Sequence, residues 1–147
     1  VGNIYKKCVG ATSADGLFKN TTLEQIWSKD DNSIFSNCTN ITSFNETFMN
    51  SSITSLISAI FHKCNKAISF RSTFEGCTKL SAINASEEVE YIVPNSNVAV
   101  ISVLNMFKNC SGISDTLPAL WKSFYACSFA DKTPQKSGHS CGCPLFG

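Results

Sequence analysis

The chain has 147 residues, with Lys+Arg 12 against Asp+Glu 11 and a formal charge of +1, so its charge carries no footprint for nucleic acid or an anionic membrane. That length is one domain's worth, enough to bury a real core. No apolar run approaches the roughly 20 residues of a membrane span, since even Asn97 to Phe107 is interrupted by Ser102 and Asn105. A soluble chain is expected.

Val1 to Gly10 lacks the basic-then-apolar order of a secretory signal, and the absence of an initiator Met points to a start inside a longer or processed protein. Phe 11 and Cys 8 stand among many Ser, Thr and Asn, with charged residues at only 16%, a composition that invites a search for periodicity.

In chain order, aromatic residues fall at Tyr5, Phe18, Phe35, Phe48, Phe61, Phe74, Phe107 and Phe124. Three residues after each stands Cys or a small hydroxyl residue: Cys8, Thr21, Cys38, Ser51, Cys64, Cys77, Cys110 and Cys127. The steps between aromatics are 13, 17, 13, 13, 13, 33 and 17 residues.

An apolar pair follows at offsets six and nine, as Ile41 and Phe44, Ala67 and Phe70, and Leu80 and Ile83. Where Cys is replaced, the pair comes one residue earlier, as Leu23 and Ile26 and as Ile53 and Leu56. After Phe107 the register decays to Ile113 and Thr116, and after Phe124 only Ala130 remains.

Residues three apart share one face of a helical turn, so an aromatic and its cysteine are expected to enter one core from short helices such as Asn45 to Asn50. The polar, β-branched segments Asn40 to Phe44, Ser52 to Leu56 and Lys66 to Phe70 read as short strands. Such a unit cannot bury its own apolar side, whereas stacked copies form one continuous core.

The expected architecture is therefore an α/β solenoid, leucine-rich-repeat-like, with short helical turns alternating with short strands. Two 13-residue units make a coil of about 26 residues, which stacks Cys38 on Cys64 and Ser51 on Cys77. Residues 1–130 form the repeat region, with an irregular excursion at about 84–105, whose Asn97 to Val103 could supply one longer strand. Residues 131–147, ending His139-Ser-Cys-Gly-Cys-Pro144, read as a Cys-rich C-terminal cap or tail.

The segment Ile34-Phe-Ser-Asn-Cys-Thr-Asn-Ile-Thr-Ser-Phe44, together with Phe74-Glu-Gly-Cys-Thr-Lys-Leu-Ser-Ala-Ile83, resembles the BspA-like leucine-rich repeats of bacterial surface proteins. It also resembles the related repeats of phage and prophage tail-fibre proteins. Asn105-Met-Phe-Lys-Asn-Cys-Ser-Gly-Ile113, followed by Leu117-Pro-Ala-Leu-Trp121, is similar to the last repeats of that second group.

The likeness runs from about Tyr5 to Ala130 and departs from the family in the 33-residue gap and the Cys-rich end. It implies non-catalytic recognition outside a cell or on a virion, as the receptor-binding part of a phage tail fibre or as a bacterial adhesin. The partner would be a cell-surface protein or glycan. The alternative is a structural subunit of a virion or extracellular fibre, docking coil end to coil end.

No enzyme, cofactor or metal is expected. Cys64 lies two residues from His62, but their side chains diverge on a strand or helix, and the repeat already accounts for Cys64. His139, Cys141 and Cys143 with Cys127 would make four zinc ligands, yet Cys-x-Cys is a poor match to zinc spacing. Cys127, Cys141 and Cys143 are better candidates for a disulfide, while the repeat cysteines read as reduced core thiols.

Asn-x-Ser/Thr triplets at Asn20, Asn37, Asn40, Asn45, Asn50, Asn84 and Asn109 read as turn and cap formers. Trp27, Tyr91 and Trp121 are the candidate ligand contacts, because exposed aromatic rings stack on ligand faces, with core packing as the plainer role for both tryptophans.

Overall fold

The computed structural model describes residues 8–26, 34–35, 38–61, 63–84 and 102–116. These fall into four successive tiers, in which the chain returns to the same column of positions. Parallel bridges join Ser13 to Ser43, Ser43 to Ser69 and Ser69 to Ser102, so successive tiers are offset by 30, 26 and 33 residues. On another side, strand β1 (Ser55–Ile57) pairs in parallel with β2 (Ala82–Asn84), Leu56 opposite Ile83. Short 3-10 turns occupy Ser58–Phe61 and Ser111–Thr116. Among the described residues there is no α-helix.

The expected helix from Asn45 to Asn50 is replaced by a run of tight turns. Glu46 and Asn50 have φ of 55° and 56°, in the left-handed region that an α-helix of L-residues cannot use. Alternate amides then have different destinations. Those of Thr47, Met49 and Ser51 close local turns onto Phe44, Glu46 and Phe48, while those of Glu46, Phe48 and Asn50 reach the carbonyls of Arg71, Thr73 and Glu75 in the next tier.

The same alternation recurs around Gly16 and Asn20 and around Ser72 and Gly76, and the local turns recur around Asn105 and Asn109, all with positive φ. A closed three-residue turn brings residues three apart together much as a helical turn does, so the sequence spacing alone does not separate the two. The strands are also shorter than expected. In their tiers Ser43 and Ser69 are single bridging residues, each paired to the tier on either side, because the positive-φ residue three positions later turns the chain away.

The excursion expected at 84–105 narrows at both ends. Asn84 is paired within β2, and Ser102 to Asn105 already run in the fourth tier. The stretch 85–101 between them lies outside the described residues.

One core runs through all the tiers. Phe35, Phe44, Phe48, Phe61, Phe70 and Phe74 are fully buried in it, with Ile41, Ile53, Leu56, Ala67 and Leu80. Phe18, Phe48, Phe74 and Phe107 form a stacked column with centroid separations of 5.3, 5.3 and 5.2 Å. Phe44 lies over Phe70 at 5.5 Å, and Phe35 over Phe61 at 6.0 Å. These distances approach the spacing of roughly 4.8 Å between hydrogen-bonded strands, so the backbone ladder itself sets the ring contacts.

Candidate functional site

The cysteine position is an interior hydrogen-bonding position. The Cys77 thiol donates to the Phe48 carbonyl at 3.0 Å, and the Cys110 thiol to the Phe74 carbonyl at 2.9 Å. Cys64 makes a longer contact of the same kind with Phe35, at 3.6 Å. Each of these carbonyls also receives the backbone N–H of the residue three positions on in its own tier. The aromatic-x-x-Cys spacing thus closes a turn within one tier and ties it to the tier before. Ser51, where Cys is replaced, is buried with its hydroxyl 3.4 Å from the Cys77 sulfur.

Burial pushes the Cys64 thiol up to about 12, with Cys38 adding to the effect, and Cys38 is raised by burial and then by Cys8. Cys110 is raised by its hydrogen bond with Cys77 and by burial. Protonated thiols of this kind are donors and weak nucleophiles. Among the described residues Cys8, Cys38, Cys64, Cys77 and Cys110 are in no disulfide, Cys8 being the half-buried one.

A second interior column escaped the sequence reading. Thr47 and Thr73 are fully buried, and each hydroxyl lies within reach of two carbonyls, Ala14 and Phe44 for Thr47, and Phe44 and Phe70 for Thr73. The signal was present as Phe-x-x-Thr in Phe44 to Thr47 and Phe70 to Thr73, offset by four residues from the aromatic that carries Ser51 or Cys77.

The outward surface beside the bridges is polar and ordered. The Asp15 carboxylate accepts the Ser43 hydroxyl at 2.5 Å and the Asn45 amide at 2.8 Å. One tier on, the Asn45 side-chain carbonyl accepts the Ser69 hydroxyl at 2.7 Å and the Arg71 amide at 3.0 Å. The equivalent position in the next two tiers holds Arg71 and Leu104, both exposed. Nearby, Lys19 pairs with Glu46, and the Asn50 side chain donates to that of Asn20 at 3.1 Å.

At the far side of the bridges, Lys66 donates to Asn40 at 2.6 Å and Asn40 to the Val9 carbonyl at 2.7 Å. The serine column was also legible, as Ser followed by an apolar residue with Phe four further on in Ser43-Phe44 to Phe48 and Ser69-Phe70 to Phe74.

Among the described residues no group of His, Cys, Asp and Glu could hold a metal ion. No described helix is long and apolar enough to cross a membrane. Of the expected repeat core, the structure gathers Cys8, Phe18, Phe35, Cys38, Phe48, Phe61, Cys64, Phe74, Cys77, Phe107 and Cys110 into or against one cluster. Tyr5 and Phe124 lie outside the described residues, as do the candidate contacts Trp27, Tyr91 and Trp121, and also Cys127, Cys141, Cys143, His62 and His139.

Comparison with protein-family models, with curated proteins and with solved structures finds no match to this chain.

Proposed function

We propose that the chain is a leucine-rich-repeat-like solenoid of the BspA-like kind and serves as a non-catalytic recognition module at an extracellular or virion surface. In this reading it is the receptor-binding part of a phage tail fibre or a bacterial adhesin, and its partner is a cell-surface protein or glycan. The supporting observation is the contrast between the two sides of one ladder. The interior repeats from tier to tier, while the outward position beside the bridges changes from Asp15 to Asn45 to Arg71 to Leu104. A repeating frame that carries non-repeating outward groups is the means by which stacked-repeat proteins build an extended binding face.

Fluorescently labelled protein should bind intact bacterial cells saturably, and Arg71→Ala, an exposed change, should weaken that binding without lowering stability. Absence of binding across a broad panel of cells and surface glycans, together with concentration-dependent polymerisation, would replace this reading with that of a structural subunit.

A further inference from the structure

Cys77 and Cys110 occupy the same position of successive tiers, three residues after Phe74 and Phe107, whose rings stack at 5.2 Å. Just before the pair the backbone joins these tiers, Phe74 and Gly76 donating their amides to the carbonyls of Met106 and Lys108 at 2.9 and 2.8 Å. The Phe74 carbonyl then draws the two cysteines together. It accepts the Cys77 amide at 3.1 Å and the Cys110 thiol at 2.9 Å, and the Cys110 thiol also lies within hydrogen-bonding reach of the Cys77 sulfur. Tiers set at the strand spacing of roughly 4.8 Å fall inside the Cα separation of about 4.4–6.8 Å that a disulfide bridges.

We propose that Cys77 and Cys110 form a dithiol that hydrogen peroxide converts to a disulfide within the folded chain, locking the third tier to the fourth. Cys110 is the least covered of the buried repeat cysteines, 8% exposed against 0% for Cys38, Cys64 and Cys77, so a small oxidant reaches the pair from its side. The hydrogen bond from Cys110 holds the Cys77 thiol below its ordinary value; burial opposes this and Ser51 adds to it. Cys77 is therefore the attacking thiolate. Its sulfur takes one peroxide oxygen as the O–O bond breaks, giving a Cys77 sulfenic acid and a hydroxide that recovers the Cys77 proton as water. The Cys110 sulfur then attacks the Cys77 sulfur, the S–O bond breaks, and the departing hydroxide takes the Cys110 proton as a second water. Two thiols give up two electrons to one peroxide.

Cys38 and Cys64 repeat the spacing without these features. The rings ahead of them are wider apart, at 6.0 Å, both residues are fully covered, and burial pushes both thiols up. The step from Cys77 to Cys110 is also the longest, 33 residues against 26 from Cys38 to Cys64, so a bond there closes the larger loop of the unfolded chain. The pair is interior and apart from the outward polar column, so this inference and the recognition reading fail independently.

The test treats the reduced full chain, freed of reductant, with hydrogen peroxide, blocks remaining thiols with N-ethylmaleimide in urea, and maps an unreduced digest by mass. A peptide linking Cys77 to Cys110 should form while Cys38 and Cys64 are recovered alkylated, and the urea midpoint should rise by about 1 M. Cys77→Ser gives the third tier the residue that the column already holds at Ser51, and should lose both the linked peptide and the rise. The proposal is overturned if Cys77 and Cys110 are both alkylated after peroxide, or if either links to another cysteine of this chain or of a second copy. It is also overturned if the linked peptide forms without a rise in midpoint, or if the rise persists in Cys77→Ser. The map of the unsubstituted chain decides the pairing even where the variant does not fold.

Discussion

Replacing Phe48 by leucine tests whether the ring column holds the tiers together or merely fills space. Phe48 is fully buried and stacks on Phe18 at 5.3 Å with planes 7° apart and on Phe74 at 5.3 Å with planes 1° apart. It also meets Phe35 edge-on at 6.1 Å. Leucine keeps most of the apolar volume, so the main loss is the ring pairing, at about 0.5–1.5 kcal/mol for each pair. Two stacked pairs then give about 1–3 kcal/mol for Phe48→Leu.

Phe18→Leu breaks the same stacked pair from its other side. Urea unfolding in reductant, with midpoints compared at a common slope, measures both. The double variant should show a coupling of about 0.5–1.5 kcal/mol. A Phe48→Leu loss below about 1 kcal/mol, or no coupling, would refute the argument.

Gly76→Ala should destabilise more than Gly16→Ala by urea titration. Both glycines have positive φ, of 73° and 63°, but a Cβ at Gly76 would sit 2.1 Å from Asn50 Oδ1, while one at Gly16 meets nothing within 4 Å. The Gly16 change should therefore cost only the left-handed strain of about 1–2 kcal/mol, and trimming Asn50 to Ala should recover part of the Gly76→Ala loss.

Thr73→Val removes a buried hydroxyl set 3.0 Å from the Phe44 carbonyl and 2.7 Å from that of Phe70, and should cost about 1–2 kcal/mol at unchanged shape. On raising the pH, the unfolded Cys64 thiol ionises near 9.0 and the folded one only near 12. Between those values the unfolded state binds fewer protons, so stability falls with rising pH, by at most about 1.4 kcal/mol per unit from this group. Cys64→Ala should flatten that decline in denaturation curves taken from pH 8 to 11. Brief iodoacetamide treatment of native protein followed by peptide mass mapping should label half-buried Cys8 ahead of Cys38, Cys64, Cys77 and Cys110.

The sequence by itself determined which residues share an interior. A recurring aromatic with Cys three residues on, and an apolar pair behind it, marks the side chains that must leave water together, and it marks the roughly 26-residue return that puts Phe35 by Phe61 and Ser51 by Cys77. Burial follows side-chain chemistry, which is legible residue by residue.

The backbone path was decided only by tertiary structure. A helical turn and a chain of closed turns place residues three apart equally close, and what selects the second is a neighbouring tier offering carbonyls to every other amide, as Thr73 does for Phe48. That tier is held in place by the ladder and not by local propensity, which is why Glu46 and Ser72 adopt positive φ where no glycine signals it. The same cause hid the interior roles of Thr47 and Thr73. Hydrogen-bond partners from another tier are visible only after the chain has come round.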